Sequence, residues 1–128
     1  MPVLAGGEGG SIVVVGSALA QTLDADFLTV AYASAKGALV PLVRSAAYSG
    51  APNGVRVNLV SPGVVDTAMA RRAIDSPTIS LRLGELQRVS GGAQTARSVA
   101  KAVCWLLSDD AGDISGADVP ADGGWTLR

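Results

Sequence analysis

The sequence contains no histidine and only one cysteine, Cys104, among its 128 residues. The lack of histidine excludes the histidine-based catalytic triads and most zinc sites, and we expect no metal centre. A single cysteine cannot form a disulfide within the chain, which suits a reducing compartment, so we expect a cytoplasmic protein. Because Cys104 lies in an apolar, helix-like run, we predict that its thiol is buried and structural.

Aromatic residues make up only 4% of the chain and charged residues 16%, with a net charge of −1. The core must therefore be built mainly from Val, Leu, Ile and Ala. The net charge gives no electrostatic reason to expect nucleic acid or an anionic membrane as a partner. No apolar run approaches the length needed to span a bilayer, and the N-terminus lacks the pattern of a signal peptide.

Strand-like segments occur at three places along the chain. Residues 11–15 form an apolar, β-branched run without alternation, which is typical of a strand buried on both faces. Residues 55–60 predict a second strand, which should end at residues 61–63. Residues 117–121 predict a last strand, and Pro120 places it at an edge of the sheet, because proline cannot donate to a central ladder.

Helical patterns lie between these strands. Residues 30–49 predict a helix that ends at the Gly- and Pro-rich stretch after it and that Pro41 should kink. Residues 96–108 predict another helix, with Thr95 as its N-cap. An order of strand, helix, strand, helix and strand indicates right-handed parallel crossovers, so the fold class is α/β. At this length we expect a single domain.

Residues 64–92 form a long connection with weak helical stretches, and connections of this length are usually functional or mobile. Its arginines outnumber its acidic residues, which makes a mildly basic patch. One interpretation of the patch is solvated surface, and the other is contact with a substrate. The arginines are Arg71, Arg72, Arg82 and Arg88.

Tyr32 and Lys36 are four residues apart in the first predicted helix, which places them on one face, one turn apart. A lysine in that position favours the phenolate and lowers the tyrosine pKa, which is ordinarily about 10. Such a tyrosine can transfer a proton near neutral pH. Ser17, at the end of the first strand, can hydrogen-bond the oxygen of a carbonyl or alcohol. Together the three side chains suggest carbonyl/alcohol redox chemistry, with the hydride carried by a nicotinamide.

Five blocks of the chain, in matching order, resemble the short-chain dehydrogenase/reductase family, and the resemblance extends from about residue 9 to residue 125. A lone Tyr-x-x-x-Lys motif occurs by chance, but five blocks in register are specific. The blocks are the serine strand at 10–17, Tyr-x-x-x-Lys at 32–36, a strand and loop at 55–58 and 62–67, and the domain end at 107–111, Gly116 and 122–124.

The resemblance implies roles for the first three residues. Tyr32 is expected to be the general acid or base, Ser17 to orient the substrate oxygen, and Lys36 to lower the tyrosine pKa and to bind the nicotinamide ribose. The loop between Ser17 and Tyr32 is about two residues longer than is common in the family. The implied substrate is a small carbonyl or alcohol.

The resemblance also implies a cofactor site and a lid. With Tyr32 and Lys36, four loop residues are expected to bind the nicotinamide of NAD or NADP, and residues 66–92 are expected to form the substrate lid. The sequence does not choose between the two cofactors. The four loop residues are Pro62, Gly63, Val65 and Thr67.

The family's Gly-rich turn, where a helix N-terminus holds the cofactor pyrophosphate, has no counterpart in this sequence. The glycines of residues 6–10 precede a strand instead of following one, and their spacing does not fit G-x-G-x-x-G. We therefore expect residues 1–128 to be one truncated domain, a partial Rossmann-like parallel sheet of about three strands that lacks the N-terminal Gly-rich βαβ half. Residues 1–10 would be a residual helix end or loop.

The expected function is an oxidoreductase that needs the missing half, supplied by a longer true start or by a separately encoded complementing chain. Without that half, we expect the chain to self-associate into a homo-oligomer. An alternative is an inactive remnant that serves as an oligomerising or interaction module, since the family's tyrosine helix commonly packs at a subunit interface. A third reading is an unrelated α/β binding protein. Each residue also has a simpler interpretation: Ser17 as a turn residue, Tyr32 as a core residue beside an extended Lys36, and Thr67 as a helix N-cap.

Overall fold

Three parallel strands form the centre of the structure, a computed structural model that describes residue 7 and residues 9–127. The strands are β1 (Gly10–Val15), β2 (Val55–Pro62) and β3 (Asp118–Ala121), in the spatial order β1-β2-β3. All three predicted strands are therefore present, and the α/β class with a partial parallel sheet is confirmed. The prediction for residues 1–10 falls mostly outside the described residues.

Within the described residues, five α-helices connect and cover the strands. Short 3₁₀ turns occupy residues 18–20, 25–27, 51–53, 68–70, 109–111 and 125–127. The helices are α1 (Val30–Gly37), α2 (Leu39–Gly50), α3 (Arg71–Ile74), α4 (Pro77–Leu86) and α5 (Ala96–Leu107).

The helix predicted over residues 30–49 is divided into α1 and α2 at Ala38, three residues before the proline that was expected to kink it. Pro41 lacks an N–H, and its ring excludes the carbonyl four residues earlier, which belongs to Gly37. The helix therefore breaks one turn ahead of Pro41. Since Tyr32 and Lys36 both lie in α1, their spacing of one turn is preserved.

The sheet has an apolar core on each face. On one face α2 packs its Val43 and Ala47 against three buried β2 residues, Val55, Val57 and Leu59. On the other face α5 supplies Val99 and Leu106, which pack with Val60 and Ala111. Every residue of β2 except Arg56 is buried, as expected for the central strand of a parallel sheet.

Cys104 is exposed, so the prediction of a buried structural thiol is wrong. The apolar run around it is helical, as expected, but α5 buries the side of the helix that carries Val99 and Leu106. Residues two apart in a helix point in nearly opposite directions. Cys104, two residues before Leu106, is therefore turned away from the sheet.

Asn58, in the middle of β2, holds the chain that leads into β3. Its Nδ2 donates to the Ile114 carbonyl at 2.8 Å, and its Oδ1 accepts from the Ala117 N–H at 3.0 Å. Three residues further along the strand, Ser61 Oγ donates to the Asp118 carboxylate at 2.7 Å. Asn58 is fully buried, so these bonds replace the water that its amide would otherwise need.

Candidate active site

A cavity of about 450 Å³ lies where β1 and β2 end, between α1 and the segment that follows β2. In a parallel sheet the carboxyl ends of neighbouring strands meet at one edge, which is where open α/β sheets bind their ligands. All seven residues that the sequence singled out line this cavity. They are Ser17 after β1, Tyr32 and Lys36 on α1, and Pro62, Gly63, Val65 and Thr67 at the end of β2 and in the segment that follows it.

Ser17 follows β1 with an extended backbone and begins a 3₁₀ turn. Its Oγ accepts from the Leu19 N–H at 3.2 Å, so the residue does act as a turn cap. A hydroxyl that accepts one hydrogen bond can still donate its own proton. Ser17 is buried and lines the cavity, so capping the turn and meeting a bound oxygen are compatible.

Tyr32 and Lys36 lie on the cavity side of α1. Lys36 Nζ is 5.9 Å from the centre of the Tyr32 ring, which places a positive charge beside the phenol. The same Nζ donates to the Val15 carbonyl, at the end of β1, at 2.8 Å. This bond fixes the lysine against the strand that carries Ser17. Tyr32 is 38% exposed, so it is not a core residue.

The loop after β2 is held by two buried glutamines that the sequence analysis did not single out. Gln87 accepts from the Val64 N–H and donates back to the Val64 carbonyl at 3.2 Å, which pairs both backbone groups of that residue. Gln94 Oε1 accepts from the Gly63 N–H at 3.2 Å. A Cβ at Gly63 would collide with Gln87 Oε1, so the loop can lie this close to Gln87 only with glycine. The only signal in the sequence was the position of Gln87, one residue after Leu86 and four after Leu83.

Thr67 occupies the N-cap position of the 3₁₀ turn at residues 68–70, but its side chain makes no capping hydrogen bond. Its Oγ1 instead donates to the Val65 carbonyl at 3.3 Å. Thr67 therefore stands at the N-cap position that its simpler interpretation predicted, but its hydroxyl does not cap the turn. The Thr67 side chain lines the cavity.

The arginines of the long connection serve two purposes. Arg71 pairs with two exposed carboxylates of its own segment, Asp66 and Asp75, as a solvated surface residue does. Arg82, on α4, reaches across to the loop before α1, where its Nη2 lies 3.0 Å from Asp24 Oδ2. Hydrogen bonding to Glu85 and the charge of Asp24 raise the pKa of Arg82 above its ordinary value.

An aromatic pair also borders the cavity and was not predicted. Phe27 lies in the loop before α1, and Trp125 lies near the end of the described chain. Their ring centres are 5.2 Å apart in an edge-to-face arrangement. Since 98 residues separate them, no local pattern in the sequence could have indicated the contact.

Residue 7 and residues 9–127 contain no group of three or more His, Cys, Asp or Glu side chains placed to hold a metal ion. Over the same part of the chain, no helix combines the length and apolar character needed to cross a membrane.

Comparison with known proteins identifies related sequences. Residues 1–126 match the family model described as enoyl-(acyl carrier protein) reductase. The (+)-cis,trans-nepetalactol synthase of Nepeta racemosa is 38% identical over 121 residues, which cover 93% of this chain and 44% of that protein. The vibriobactin-specific 2,3-dihydro-2,3-dihydroxybenzoate dehydrogenase of Vibrio cholerae is 38% identical over 130 residues, covering 92% of this chain and 47% of the relative.

Solved structures give the same picture. A short-chain type dehydrogenase/reductase from Mycobacterium ulcerans superposes with a TM-score of 0.87 at 30% identity, covering 98% of this chain and 44% of that one. The chain thus spans somewhat less than half the length of these three relatives.

Proposed function

Because the chain belongs to the short-chain dehydrogenase/reductase family, we propose that it forms the catalytic half of an NAD(P)-dependent oxidoreductase that interconverts a carbonyl and a secondary alcohol. The observation that carries the proposal is that Ser17, Tyr32 and Lys36 all line the same cavity. Family membership does not by itself give the reaction, since one relative is named a synthase. The residues at the cavity supply the rest of the argument.

In the proposed reaction Tyr32 exchanges a proton with the substrate oxygen. The ammonium of Lys36 lies 5.9 Å from the centre of the Tyr32 ring, so it stabilises negative charge that develops on the phenol during the proton transfer. Its hydrogen bond to the Val15 carbonyl keeps that charge in place through the reaction. Ser17 donates a hydrogen bond to the same substrate oxygen, keeps its own proton, and so aligns the reacting carbon.

The residues after β2 fit a nicotinamide ring. Pro62 and Val65 offer apolar contact, and the Thr67 hydroxyl can meet a carboxamide. When bound, the nicotinamide supplies or accepts the hydride. Gln87 and Gln94 hold this loop in shape, so we propose that they position the ring indirectly. The sequence has no Gly-rich turn for the pyrophosphate, and we leave NAD or NADP as equal candidates.

We propose that activity requires the part of the family fold that this chain does not contain. β1 pairs only with β2 within the described residues, and its outer edge is open. No residue of α1 is buried, although the helix carries the proposed catalytic tyrosine. A second polypeptide segment against β1 and α1 would complete both. A homo-oligomer, or an inactive interaction module, would use the same open surfaces and is the second candidate.

The test is a fusion in which this chain replaces the matching part of the M. ulcerans protein. Oxidation of NADH and NADPH is measured with a panel of ketones, with and without Tyr32→Phe. We expect turnover that falls by about 100-fold or more in the variant, because the phenol proton is lost, with cofactor affinity changed by no more than several-fold.

Tyr48→Phe is the matched control, since Tyr48 is 86% exposed on α2 and lies outside the cavity. It should leave turnover unchanged. If Tyr32→Phe keeps more than about a tenth of the rate, Tyr32 is not the proton donor. If the fusion folds but binds neither cofactor, the interaction-module alternative is favoured.

A further inference from the structure

Apart from the predicted site residues, the side chains that line the cavity are almost all apolar. Thr29 is the only hydroxyl among them. They include residues of the turn after Ser17, the loop before α1, the segment after Thr67 and the end of the domain. Among them are Leu19, Phe27, Met69, Ala73 and Trp125.

The cavity has little to offer an anion. Among residue 7 and residues 9–127, Lys36 is the only charged residue that lines it, and its Nζ is already bonded to the Val15 carbonyl. The nearby arginines Arg71 and Arg82 do not line the cavity, and both are paired with carboxylates. A carboxylate or phosphate entering the apolar part would lose its water without gaining a cation, which is strongly unfavourable.

Phe27 and Trp125 form a fixed wall of the cavity. Trp125 is 1% exposed and packs with Ala18 and Leu86, and Phe27 meets it edge to face at 5.2 Å. The turn that carries Trp125 is held by Asp122, whose carboxylate accepts from the Gly124 and Thr126 N–H groups at 2.9 and 2.8 Å. The wall is therefore present before any ligand arrives.

The loop that carries Phe27 is anchored to the lid. Asp24 Oδ1 accepts from the Asp26 N–H at 3.0 Å and caps the turn in which Phe27 lies. The other carboxylate oxygen binds Arg82 at 3.0 Å, and the Asp24 side chain is only 6% exposed. Arg82 thus positions Phe27 without lining the cavity itself.

We infer that the substrate is an uncharged carbonyl or alcohol compound with an apolar body next to the reacting carbon, and that Phe27 and Trp125 form the wall that selects it. This inference rests on the proposed function, because it takes the cavity to be the substrate site. It names the substrate class that the family resemblance left open.

The experiment compares two ketones of equal heavy-atom count, 4-isopropylcyclohexanone and 4-oxocyclohexanecarboxylate. Binding to the 128-residue chain and to the fusion protein with reduced cofactor is measured by saturation-transfer NMR, which tolerates self-association. We expect the isopropyl ketone to bind at least about tenfold more tightly, because the carboxylate has no partner in the apolar part.

Two substitutions test the named residues. Phe27→Ala should weaken binding of the isopropyl ketone by about tenfold, whereas Leu23→Ala, an 86% exposed position in the same loop, should not change it. Met69 lines the cavity but is 85% exposed, so Met69→Lys is tolerated by the fold. The new cation should shift the preference toward the carboxylate.

Equal binding of the two ketones, preference for the carboxylate in the unsubstituted protein, or no binding of either to both proteins overturns the inference. An unchanged preference in Met69→Lys places the ligand elsewhere and overturns it as well. Oxidation of the reduced cofactor is followed in separate samples. If the isopropyl ketone binds selectively and neither cofactor is oxidised, the redox proposal fails and the apolar site remains.

Discussion

The two edges of the sheet are built differently. β3 is four residues long, contains Pro120, and presents the Asp118 carboxylate, which is bonded to Ser61 and to Gln21 at 2.7 and 2.6 Å. Short strands, proline and charged side chains are the devices by which natural sheets prevent pairing at an edge. β1 is six residues long, and its apolar run of Ile and Val has none of these devices.

Burial differs between the edges in a way that fits this contrast. The apolar residues of β1, from Ile12 to Val14, are only partly buried, although their composition is that of a strand covered on both faces. The β3 edge thus carries the features of a protected sheet end, whereas the β1 edge lacks them and is open within the described residues. Because Ser17 follows β1 directly, the candidate active site lies beside the open edge.

The largest expected effect comes from giving β1 the proline that β3 already has. The N–H groups of Gly10 and Gly16 point toward β2, so by alternation the Val13 N–H points toward the open edge. Val13→Pro should keep the β1–β2 ladder and block pairing on the outer side. In the fusion protein we expect turnover to fall by about 100-fold, which corresponds to about 3 kcal/mol of lost transition-state stabilisation.

Val13→Ala is the control for lost packing, since Val13 also contacts the core around Val60. It should reduce turnover far less than Val13→Pro does. Equal rates for the two variants would mean that the outer edge of β1 is not paired in the active protein, and the contrast between the edges would then have no functional meaning.

The next effect concerns the β3 side, where the side chain of Asn58 holds the segment that leads into β3 by hydrogen bonds to its backbone. Asn58→Ala leaves the Ile114 carbonyl and the Ala117 N–H without their buried partner, so we expect a loss of about 2–3 kcal/mol in unfolding free energy. Chemical denaturation measures it, with the exposed Asn53→Ala as control. Faster amide exchange should be concentrated in β3, and uniform exchange over the whole sheet would contradict this assignment.

A smaller effect is expected in the loop that follows β1, which depends on Arg82. In a Trp105→Phe background, Trp125 is the remaining tryptophan and reports on its contact with Phe27. Arg82→Gln should increase acrylamide quenching of Trp125 by about twofold, because the loop loses its anchor on α4. Arg71→Gln, which removes only exposed ion pairs, is the control, and an equal response in both variants would show that Arg82 anchors nothing.

The smallest effect is on association of the chain by itself. An open apolar edge favours pairing between copies, so light scattering at tens of micromolar should give an average mass about twice that of the monomer. Val13→Pro should return the mass toward the monomer value, whereas the same measurement on Pro120→Ala should show no decrease. A chain that is monomeric without any substitution would remove the reason for treating β1 as an interior strand.

Much of the fold was accessible from local sequence. The β-branched run of β1, the Gly54 turn before β2 and the Thr95 cap of α5 are each defined by neighbouring residues, and all appear where expected. The helix break is an instructive exception, because Pro41 acts through the carbonyl of Gly37 and so shifts the disruption by one turn. Cys104 shows the limit of composition, since an apolar segment does not tell which face of its helix is covered.

The candidate site was predicted partly from such local rules and partly, for the four loop residues after β2, from the family resemblance. Ser17, Tyr32 and Lys36 could be placed together because strand ends and helix periodicity follow rules that the sequence displays. Their catalytic roles remain predictions. The supporting residues could not be found, because Gln87, Arg82 and Trp125 act through partners that are distant in sequence or are backbone groups.

The sequence by itself determined the order of strands and helices, the turn spacing of tyrosine and lysine, and the lack of a pyrophosphate turn. These features depend on residues within one or two turns of each other. Only the tertiary structure decided that Arg82 holds Asp24 and that Phe27 meets Trp125. Those outcomes depend on which distant surfaces compete for burial, and packing settles that competition after local structure has formed.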